Sequence, residues 1–205
     1  DDSGRALVLS LERMRAVRAI DAAGMALVAE AGCTLKTVQD AAVAAGLRFP
    51  LSLAAEGTAT VGGAVSTNAG GVHVLRHGMA RALVLGLEVV LADGRIWHGL
   101  RALPKDNTGY DLRALFCGAE GTLGIVTAAC LRLVPPTRAR AVALVAVPSV
   151  DAAVTLLGRA RAAAGEQVEA CELIARDGLA AVASAYPQLR QPFPPAAPGA
   201  APWYV

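Results

Sequence analysis

The first third of the chain alternates between strand-like apolar runs and helical spacing. ALVLS (6–10) and MALVAEAGC (25–33) are apolar runs typical of strands, and the charged segment LERMRAVRAID separates them. Apolar residues then recur at helical spacing from Leu35 onward, which predicts a helix over 35–47 that ends near Gly46. We therefore expect strand, charged connection, strand and helix in this order.

A hairpin and a short helix are predicted next. Within 82–99, two apolar runs flank Asp93-Gly94, a dipeptide that is a strong signal for a hairpin turn. YDLRALF (110–116) places its apolar side chains on one face of a short helix, and Gly118 follows the end of this helix.

A prolyl pair divides the chain. GIVTAACLRLV (124–134) has the pattern of a long strand and stops at Pro135-Pro136. Because neither a helix nor a strand ladder passes easily through two prolines, we place a domain boundary there. The sequence thus predicts two domains, at 1–135 and 136–205.

The pattern beyond the boundary begins again. AVALVAV is typical of a strand, the segment from Ser149 to Gly165 of a helix, VEACELI of a strand and RDGLAAVASAY of a helix. A proline-rich stretch follows, and WYV at the end has the pattern of a strand that is just beginning. This order predicts the start of a small α/β sandwich.

Composition excludes several classes of protein. Hydrophobic residues make up 55% of the 205 residues, charged residues 18%, and the net charge is +2. Scattered arginines with few aromatic residues do not form a nucleic-acid interface. No uncharged apolar run reaches the roughly 18 residues that a membrane span requires, and DDSGRALVLS lacks the pattern of a signal peptide.

The cysteines and histidines predict neither a metal site nor a catalytic nucleophile. Cys33, Cys117, Cys130 and Cys171 are far apart in the sequence, without a Cys-x-x-Cys motif. We interpret them as buried, reduced thiols of a cytoplasmic protein. His73, His77 and His98 do not complete a usual zinc pattern with them.

The most unusual stretch is TVGGAVSTNAGG (60–71). The wider segment 57–78 contains six glycines and no acidic residue. One interpretation is a backbone cradle, without a regular helix or strand, against which a pyrophosphate or a polar heterocycle lies. The other is close packing of backbone against backbone in a crowded core. A Walker loop lacks its lysine here, and the glycine spacing does not match a Rossmann fingerprint.

A second polar cluster lies within 99–127. Lys105, Asp106 and Asn107 precede a Thr-Gly turn, and the glycine-containing loop EGTLG (120–124) leads directly into the strand that begins near Ile125. This loop could present main-chain groups to the edge of a ligand. Alternatively, the first group forms only a turn and the second only a bulge.

Three motifs in one order carry a resemblance to a known family. VGGAVSTNAGGVHVLRHG, LVLGLEVVLADGRIW and LPKDNTGYDLRALFCGAEGTLGIVTAACLRLVP resemble the FAD-linked oxidase family of the vanillyl-alcohol oxidase type, over about residues 5–135. Within it, the chain is most similar to D-2-hydroxy-acid dehydrogenases of the D-2-hydroxyglutarate and D-lactate type. The resemblance implies an α+β fold: the second subdomain of a PCMH-type FAD-binding domain, an antiparallel sheet flanked by helices, without the first subdomain. An incomplete substrate or cap domain then begins at residue 136.

The resemblance also implies FAD as the cofactor and assigns residues to it. The segment expected along the pyrophosphate and the isoalloxazine side comprises Gly62, Gly63, Thr67, Asn68, Gly70 and Gly71. The residues expected near the flavin ring are Arg76, His77 and Gly78. The residues expected at the adenosine half are Glu120, Gly121, Thr122, Gly124 and Ile125. His73 and His77 depart from the family pattern, where Asn and Tyr are common, so hydrogen bonding beside the flavin is expected to differ.

The implied activity is transfer of a hydride from a small 2-hydroxy acid to FAD, with a separate electron acceptor, by the full-length protein. The family's catalytic and metal residues lie in the cap domain beyond Val205. We therefore expect no catalytic residue and no metal ligand in these 205 residues, no activity from them alone and weak FAD binding. A homodimer is a further expectation, since apolar surface would be exposed where the first subdomain docks.

Two other hypotheses remain open. In the first, the chain is a non-catalytic module that binds FAD or another nucleotide, or assembles with a subunit. A separate chain then supplies the missing half in trans. In the second, the chain belongs to a related FAD-linked oxidase or reductase whose substrate is not a hydroxy acid.

Overall fold

The computed structural model describes residues 4, 7–190, 193 and 201–205. The chain divides into two compact units, Asp1–Pro136 and Thr137–Val205. The assignment of these units to an FAD subdomain and to the start of a cap domain stays a prediction.

The first unit is built on an antiparallel five-stranded sheet in the order β1-β2-β5-β3-β4. Its strands are β1 (Val17–Asp21), β2 (Ala26–Glu30), β3 (Val84–Val90), β4 (Ile96–Gly99) and β5 (Ile125–Arg132). The β3–β4 hairpin turns at Asp93-Gly94, which confirms the sequence prediction. β5 lies in the centre, and its buried residues explain its long apolar run.

Short helices accompany this sheet. They are α1 (Leu35–Ala44), α2 (Val61–Ser66), α3 (Val74–His77), α4 (Ala80–Leu83) and α5 (Leu112–Phe116). Three of these helices are capped by a polar side chain that accepts a backbone N–H of the first turn. The capping residues are Thr34 for α1, Thr60 for α2 and Asp111 for α5.

One face of the sheet forms the core with α1 and α2. Alternate residues of the central strands, such as Leu27, Leu87 and Ala129, are fully buried and belong to the same apolar cluster as Val38 of α1 and Val61 of α2. This alternation is the period of two of a β-strand. Ala26, Leu85 and Cys130 form a second, smaller buried cluster, so the central strands are buried on both faces.

An ion network crosses the other face. Arg18 of β1 donates to Glu30 of β2 and, with both terminal nitrogens, to Glu88 of β3 at 3.2 Å. Thr127 of β5 donates its hydroxyl to Glu88 at 2.7 Å, next to an irregularity in the β3–β5 register. The outer strand β1 is therefore attached to the sheet by side chains as well as by its ladder to β2.

The second unit contains strands and helices in the predicted order, but its strands are much shorter than predicted. Its elements are β6 (Ala146–Val147), α6 (Val150–Ala164), β7 (Ile174–Ala175), α7 (Arg176–Ala185) and β8 (Trp203–Tyr204). The strands form a sheet in the order β6-β8-β7, and β8 is antiparallel to both neighbours. Ser149 caps α6, as the sequence predicts.

The first predicted strand is wrong. Residues 7–10 are not in a strand, and Ala6 lies outside the described residues. The outer strand is instead VRAID (Val17–Asp21), within the segment that we interpreted as a charged connection. Its charged residue Arg18 faces the ion network. Because charged residues interrupt this strand, the segment has no apolar run long enough to predict one. None of the described helices is both long and apolar enough to cross a membrane.

Candidate functional site

The glycine-rich stretch begins as a helix, contrary to the expectation that it would be irregular. Thr60 accepts the N–H of Gly63 at 3.2 Å and caps α2, in which Val61, Ala64 and Val65 are buried. Burial of these side chains against the sheet outweighs the low helix propensity of two adjacent glycines.

Two glycines of the stretch are explained by close packing. A Cβ on Gly62 would lie 2.8 Å from the Cβ of Ala31, and the N–H of Gly62 donates to the carbonyl of Ala31 at 2.8 Å. A Cβ on Gly71 would collide with the carbonyl oxygen of Ser52. The packing interpretation therefore holds at these two positions.

Two other glycines have no such explanation. Gly63 is exposed, and the nearest atom to a Cβ there is the Thr60 hydroxyl at 3.2 Å. A Cβ on Gly70 would make only ordinary contacts, at 3.5 Å to Val74 and 3.8 Å to Met79. Neither residue has a positive φ. Packing therefore does not require a glycine at either position.

The loop 117–122 lies on the C-terminal end of α2. Gly118 donates its N–H to the carbonyl of Val65 at 3.0 Å, and Glu120 donates to Ser66 at 2.9 Å. These bonds satisfy carbonyls that a helix end leaves without intrahelical partners. Glu120 and Gly121 both have a positive φ, of 50° and 79°. The structure thus brings together the two segments that the sequence predicts to contact FAD.

Polar groups of the stretch also have local partners. Thr67 donates its hydroxyl to the carbonyl of Gly63 at 2.9 Å, at the end of α2. Asn68 has a φ of 48°, and its side-chain oxygen accepts the N–H of Arg81 at 2.9 Å. Sequence reasoning missed Arg81, whose guanidinium also donates to the carbonyl of Cys117 at 2.5 Å. Only its position after the motif could have drawn attention to it.

Arg76, His77 and Gly78 lie at the end of α3. Gly78 has a φ of 74°, and a Cβ there would lie 2.7 Å from that of Ala82, so this glycine is required by the turn into α4. The rings of His73 and His77 are edge-to-face at 6.5 Å, and Nδ1 of His73 is 3.1 Å from the carbonyl of Pro50. Within the described residues, no three His, Cys, Asp or Glu side chains form a group that could hold a metal ion.

Three of the residues expected at the adenosine half have contacts that stabilise the fold. Thr122 donates its hydroxyl to the carbonyl of Ala119 at 2.6 Å, which closes a turn. A Cβ on Gly124 would lie 2.8 Å from Val89, so this glycine lets the chain enter the sheet. Ile125 is the first residue of β5 and pairs with Val90. A Cβ on Gly121, by contrast, would meet open space.

The polar residues 105–107 lie in an exposed connection. Asp106 accepts the N–H of Thr108 at 3.1 Å and pairs with Arg101 at 3.2 Å. The backbone N–H of Thr108 and, after it, Arg101 hold the pKa of the Asp106 carboxyl below its usual value. These contacts match the interpretation of this segment as a turn.

The cysteines near the site are not activated. Burial raises the pKa of the Cys117 thiol to about 11, although Arg81 acts in the opposite direction. Burial also raises the pKa values of Cys33 and Cys130. Because the thiolate is the nucleophile, these three thiols stay neutral and unreactive near pH 7.

The arrangement fits a cofactor with phosphate groups. Bare backbone at Gly63, Gly70 and Gly121 allows close approach of a bulky ligand. Arg76 within the segment 57–78 and Arg81 just after it carry positive charge, although the guanidinium of Arg81 already donates to the carbonyl of Cys117. Positive charge and positions without a Cβ are features that suit an anionic ligand.

The comparison with protein families matches the first unit. Residues 1–99, just under half of the chain, match the family described as FAD binding domain. A solved structure of alkyldihydroxyacetonephosphate synthase matches 74% of the chain and 27% of its own length, with a TM-score of 0.61 at 21% identity. A second structure of that synthase has a TM-score of 0.60 at 22% identity, over 74% of this chain and 29% of its own. At this identity the likeness confirms the α+β fold and nothing beyond the fold.

Curated relatives are more similar in sequence. A mitochondrial D-2-hydroxyglutarate dehydrogenase of Bos taurus is 42% identical over 168 residues, which are 82% of the chain and 31% of the relative. The D-2-hydroxyglutarate dehydrogenase of Xanthomonas citri is 43% identical over 156 residues, covering 76% and 33%. The D-lactate dehydrogenase of Archaeoglobus fulgidus is 45% identical over 145 residues, covering 71% and 32%. The chain spans about a third of the length of these relatives.

Proposed function

We propose that the chain is the FAD-binding part of a D-2-hydroxy-acid dehydrogenase of the D-2-hydroxyglutarate or D-lactate type. The observation that carries this proposal is the contact between α2 and the loop 117–122, which joins two segments rich in bare backbone. The similarity to relatives with these two names supports the substrate class.

The residues of the chain would bind and orient the cofactor. When bound, FAD supplies the acceptor for the hydride that leaves the substrate Cα–H. Gly70 would offer main chain to the pyrophosphate. Gly63, whose N–H and carbonyl already bond to Thr60 and Thr67, would allow its close approach, and Thr67 and Asn68 would lie beside it. The pair Arg76 and His77 would lie toward the flavin ring, and Gly121 toward the adenosine half. Gly62, Gly71 and Gly124 would support these segments from within, because packing already occupies their free side.

The isolated 205-residue polypeptide is expected to bind FAD weakly and to be inactive, because the part of the chain that matches the relatives spans only about a third of their length. Micromolar FAD affinity of the isolated polypeptide would contradict this part. The full reading frame that encodes the chain is therefore the right material for the main test.

Gly70→Ala is the decisive variant, since a Cβ fits there without a clash. If the pyrophosphate lies against Gly70, the extra methyl group should weaken FAD binding roughly tenfold, about 1.4 kcal/mol, with unchanged unfolding temperature. Gly57→Ala is the matched control, because a Cβ there meets open space outside the proposed site. Absence of FAD binding by the wild type, or equal affinity of both variants, would contradict the proposal.

The substrate class is tested separately. Anaerobic addition of D-2-hydroxyglutarate or D-lactate should bleach the flavin absorption band of the FAD-loaded protein, and the L-enantiomers should not. If neither D-acid reduces the FAD-loaded protein, the assignment of FAD as the cofactor stands and these two hydroxy acids are excluded as substrates.

A homodimer is a second proposal, and one observation favours it. Leu7, Val8 and Leu9 are consecutive and exposed by 91%, 91% and 64%. A second copy of the chain is the proposed partner for this apolar segment, as a homodimer. Light scattering that shows a dimer, converted to a monomer by Val8→Asp, would support it, and a monomeric wild type would contradict it.

The cytoplasm is the proposed compartment, supported by the absence of disulfides among the described cysteines. The name of the Bos taurus relative places that protein in mitochondria. Cell fractionation with an antibody to the chain distinguishes the two compartments.

A further inference from the structure

Arg81 contacts both segments of the proposed FAD site. Its backbone N–H donates to the side-chain oxygen of Asn68 at 2.9 Å, in the glycine-rich stretch. Its guanidinium donates to the carbonyl of Cys117 at 2.5 Å, at the start of the loop 117–122. A backbone N–H can only donate, so Asn68 must present its oxygen to Arg81, and its amide NH2 is left toward Met79, 3.8 Å from the sulfur.

The two segments pack closely where Arg81 joins them. A Cβ on Gly118 would lie 3.3 Å from the Cβ of Asn68 and 3.4 Å from the Arg81 guanidinium. Cys117 is buried, and its side chain anchors the start of the loop in the core. Beyond it, the loop is held to α2 by the backbone bonds of Gly118 and Glu120, which are both exposed residues. Water competes for such bonds. The guanidinium of Arg81 adds a charge-assisted bond at the start of the loop, to the carbonyl of Cys117.

We propose that Arg81 is a positioning residue that fixes the loop 117–122 on the end of α2. It thereby sets the spacing between Gly70 and Gly121, the bare positions on the two segments. The part of this inference that concerns FAD rests on the proposed function. The part that concerns the loop does not, because it rests on contacts within the chain itself.

Amide hydrogen exchange tests the loop directly. In Arg81→Ala, which keeps the backbone bond to Asn68, exchange at Gly118 and Glu120 should be roughly tenfold faster, the effect of one lost charged hydrogen bond. Arg81→Lys should be intermediate, because an ammonium group keeps the charge without the planar fork. Arg95→Ala is the matched control, since Arg95 pairs with Asp93 at the hairpin turn. Unchanged exchange in Arg81→Ala would overturn the proposal.

FAD titration of the full reading frame then tests the spacing. Arg81→Ala should lower FAD affinity roughly tenfold and Arg81→Lys less, while Arg95→Ala binds as the wild type does. Faster loop exchange with unchanged FAD affinity would overturn the positioning role. If the wild type itself binds no FAD, the proposed function fails, the positioning role toward FAD fails with it, and the exchange data still decide whether Arg81 holds the loop.

Discussion

Gly118 donates its backbone N–H to the carbonyl of Val65 at 3.0 Å and so joins two segments that are far apart in the sequence. Val65 is buried in the last turn of α2, and Gly118 has a φ of 85°, in the left-handed region. The geometry of the proposed FAD site depends on this contact, because it places the loop 117–122 beside the glycine-rich stretch.

Gly118→Ala should destabilise the protein by about 2 kcal/mol: about 1 for the positive φ and the remainder for the methyl group against Asn68. Gly94→Ala at the hairpin turn is the matched control. Gly94 has a φ of 82°, and a Cβ there meets open space, so only the backbone cost applies. Urea unfolding measures both. Equal destabilisation would show that Gly118 does not pack against Asn68.

Gly62→Ala tests whether α2 is limited by packing or by helix propensity. Propensity favours alanine by about 1 kcal/mol, but the new methyl group would lie 2.8 Å from the Cβ of Ala31. We expect a net loss of about 1–3 kcal/mol. Gly63→Ala, in the same helix but exposed, should cost less. A stabilised Gly62→Ala variant would show that α2 does not pack against Ala31 as described.

The ion network on the sheet should matter in acid. Arg18, followed by Thr127, lowers the pKa of Glu88 below its usual value of 4.5. A carboxyl with a lowered pKa stabilises the fold above the unfolded pKa, and this contribution is lost as the pH falls through the folded pKa. Glu88→Gln should therefore lose about 1–2 kcal/mol at pH 7, and its difference from the wild type should shrink below pH 4.5.

Asp93→Asn is the control for this measurement. Asp93 pairs with Arg95 at 2.6 Å, but both side chains are more than half exposed. Its stability should stay within about 0.5 kcal/mol of the wild type at every pH. A Glu88→Gln difference that does not depend on pH would contradict the role of the network.

The buried thiols should make the protein sensitive to alkali. The pKa of Cys117 is raised from 9.0 to about 11. When the pKa is raised in the folded state, the contribution of the group to the free energy of unfolding is complete below pH 9 and is lost as the pH rises through about 11. For Cys117 this loss is roughly 2–3 kcal/mol. Cys117→Ala should lose this pH dependence.

Native alkylation near pH 8 should modify Cys171, which is half-buried, and spare the other three cysteines. Rapid native alkylation of Cys117 would contradict its burial.

The sequence predicts those elements whose signal is contained in a local stretch of the chain. α1 ends near Gly46, the hairpin turns at Asp93-Gly94 and β5 follows its apolar run. β1 was missed because its partners are charged side chains on other strands, Glu30 and Glu88. No local pattern contains this information.

The glycine-rich stretch shows a similar division. The sequence identified the stretch but not which glycines serve packing, because Ala31 and Ser52 approach it only in the folded chain. The helix α2 was missed for the same reason, since its stability comes from burial of Val61 and Val65. Arg81 lacks any motif of its own, and only its two contacts reveal it.

Amide exchange of the full reading frame with and without FAD tests the central claim most directly. The claim is that the glycine-rich stretch and the loop 117–122 together contact the cofactor. Binding of FAD should slow exchange at Gly63 and Gly70 and also at Gly121, and should leave the hairpin turn at Gly94 unchanged. A protein that binds FAD without slower exchange in either segment would contradict the account.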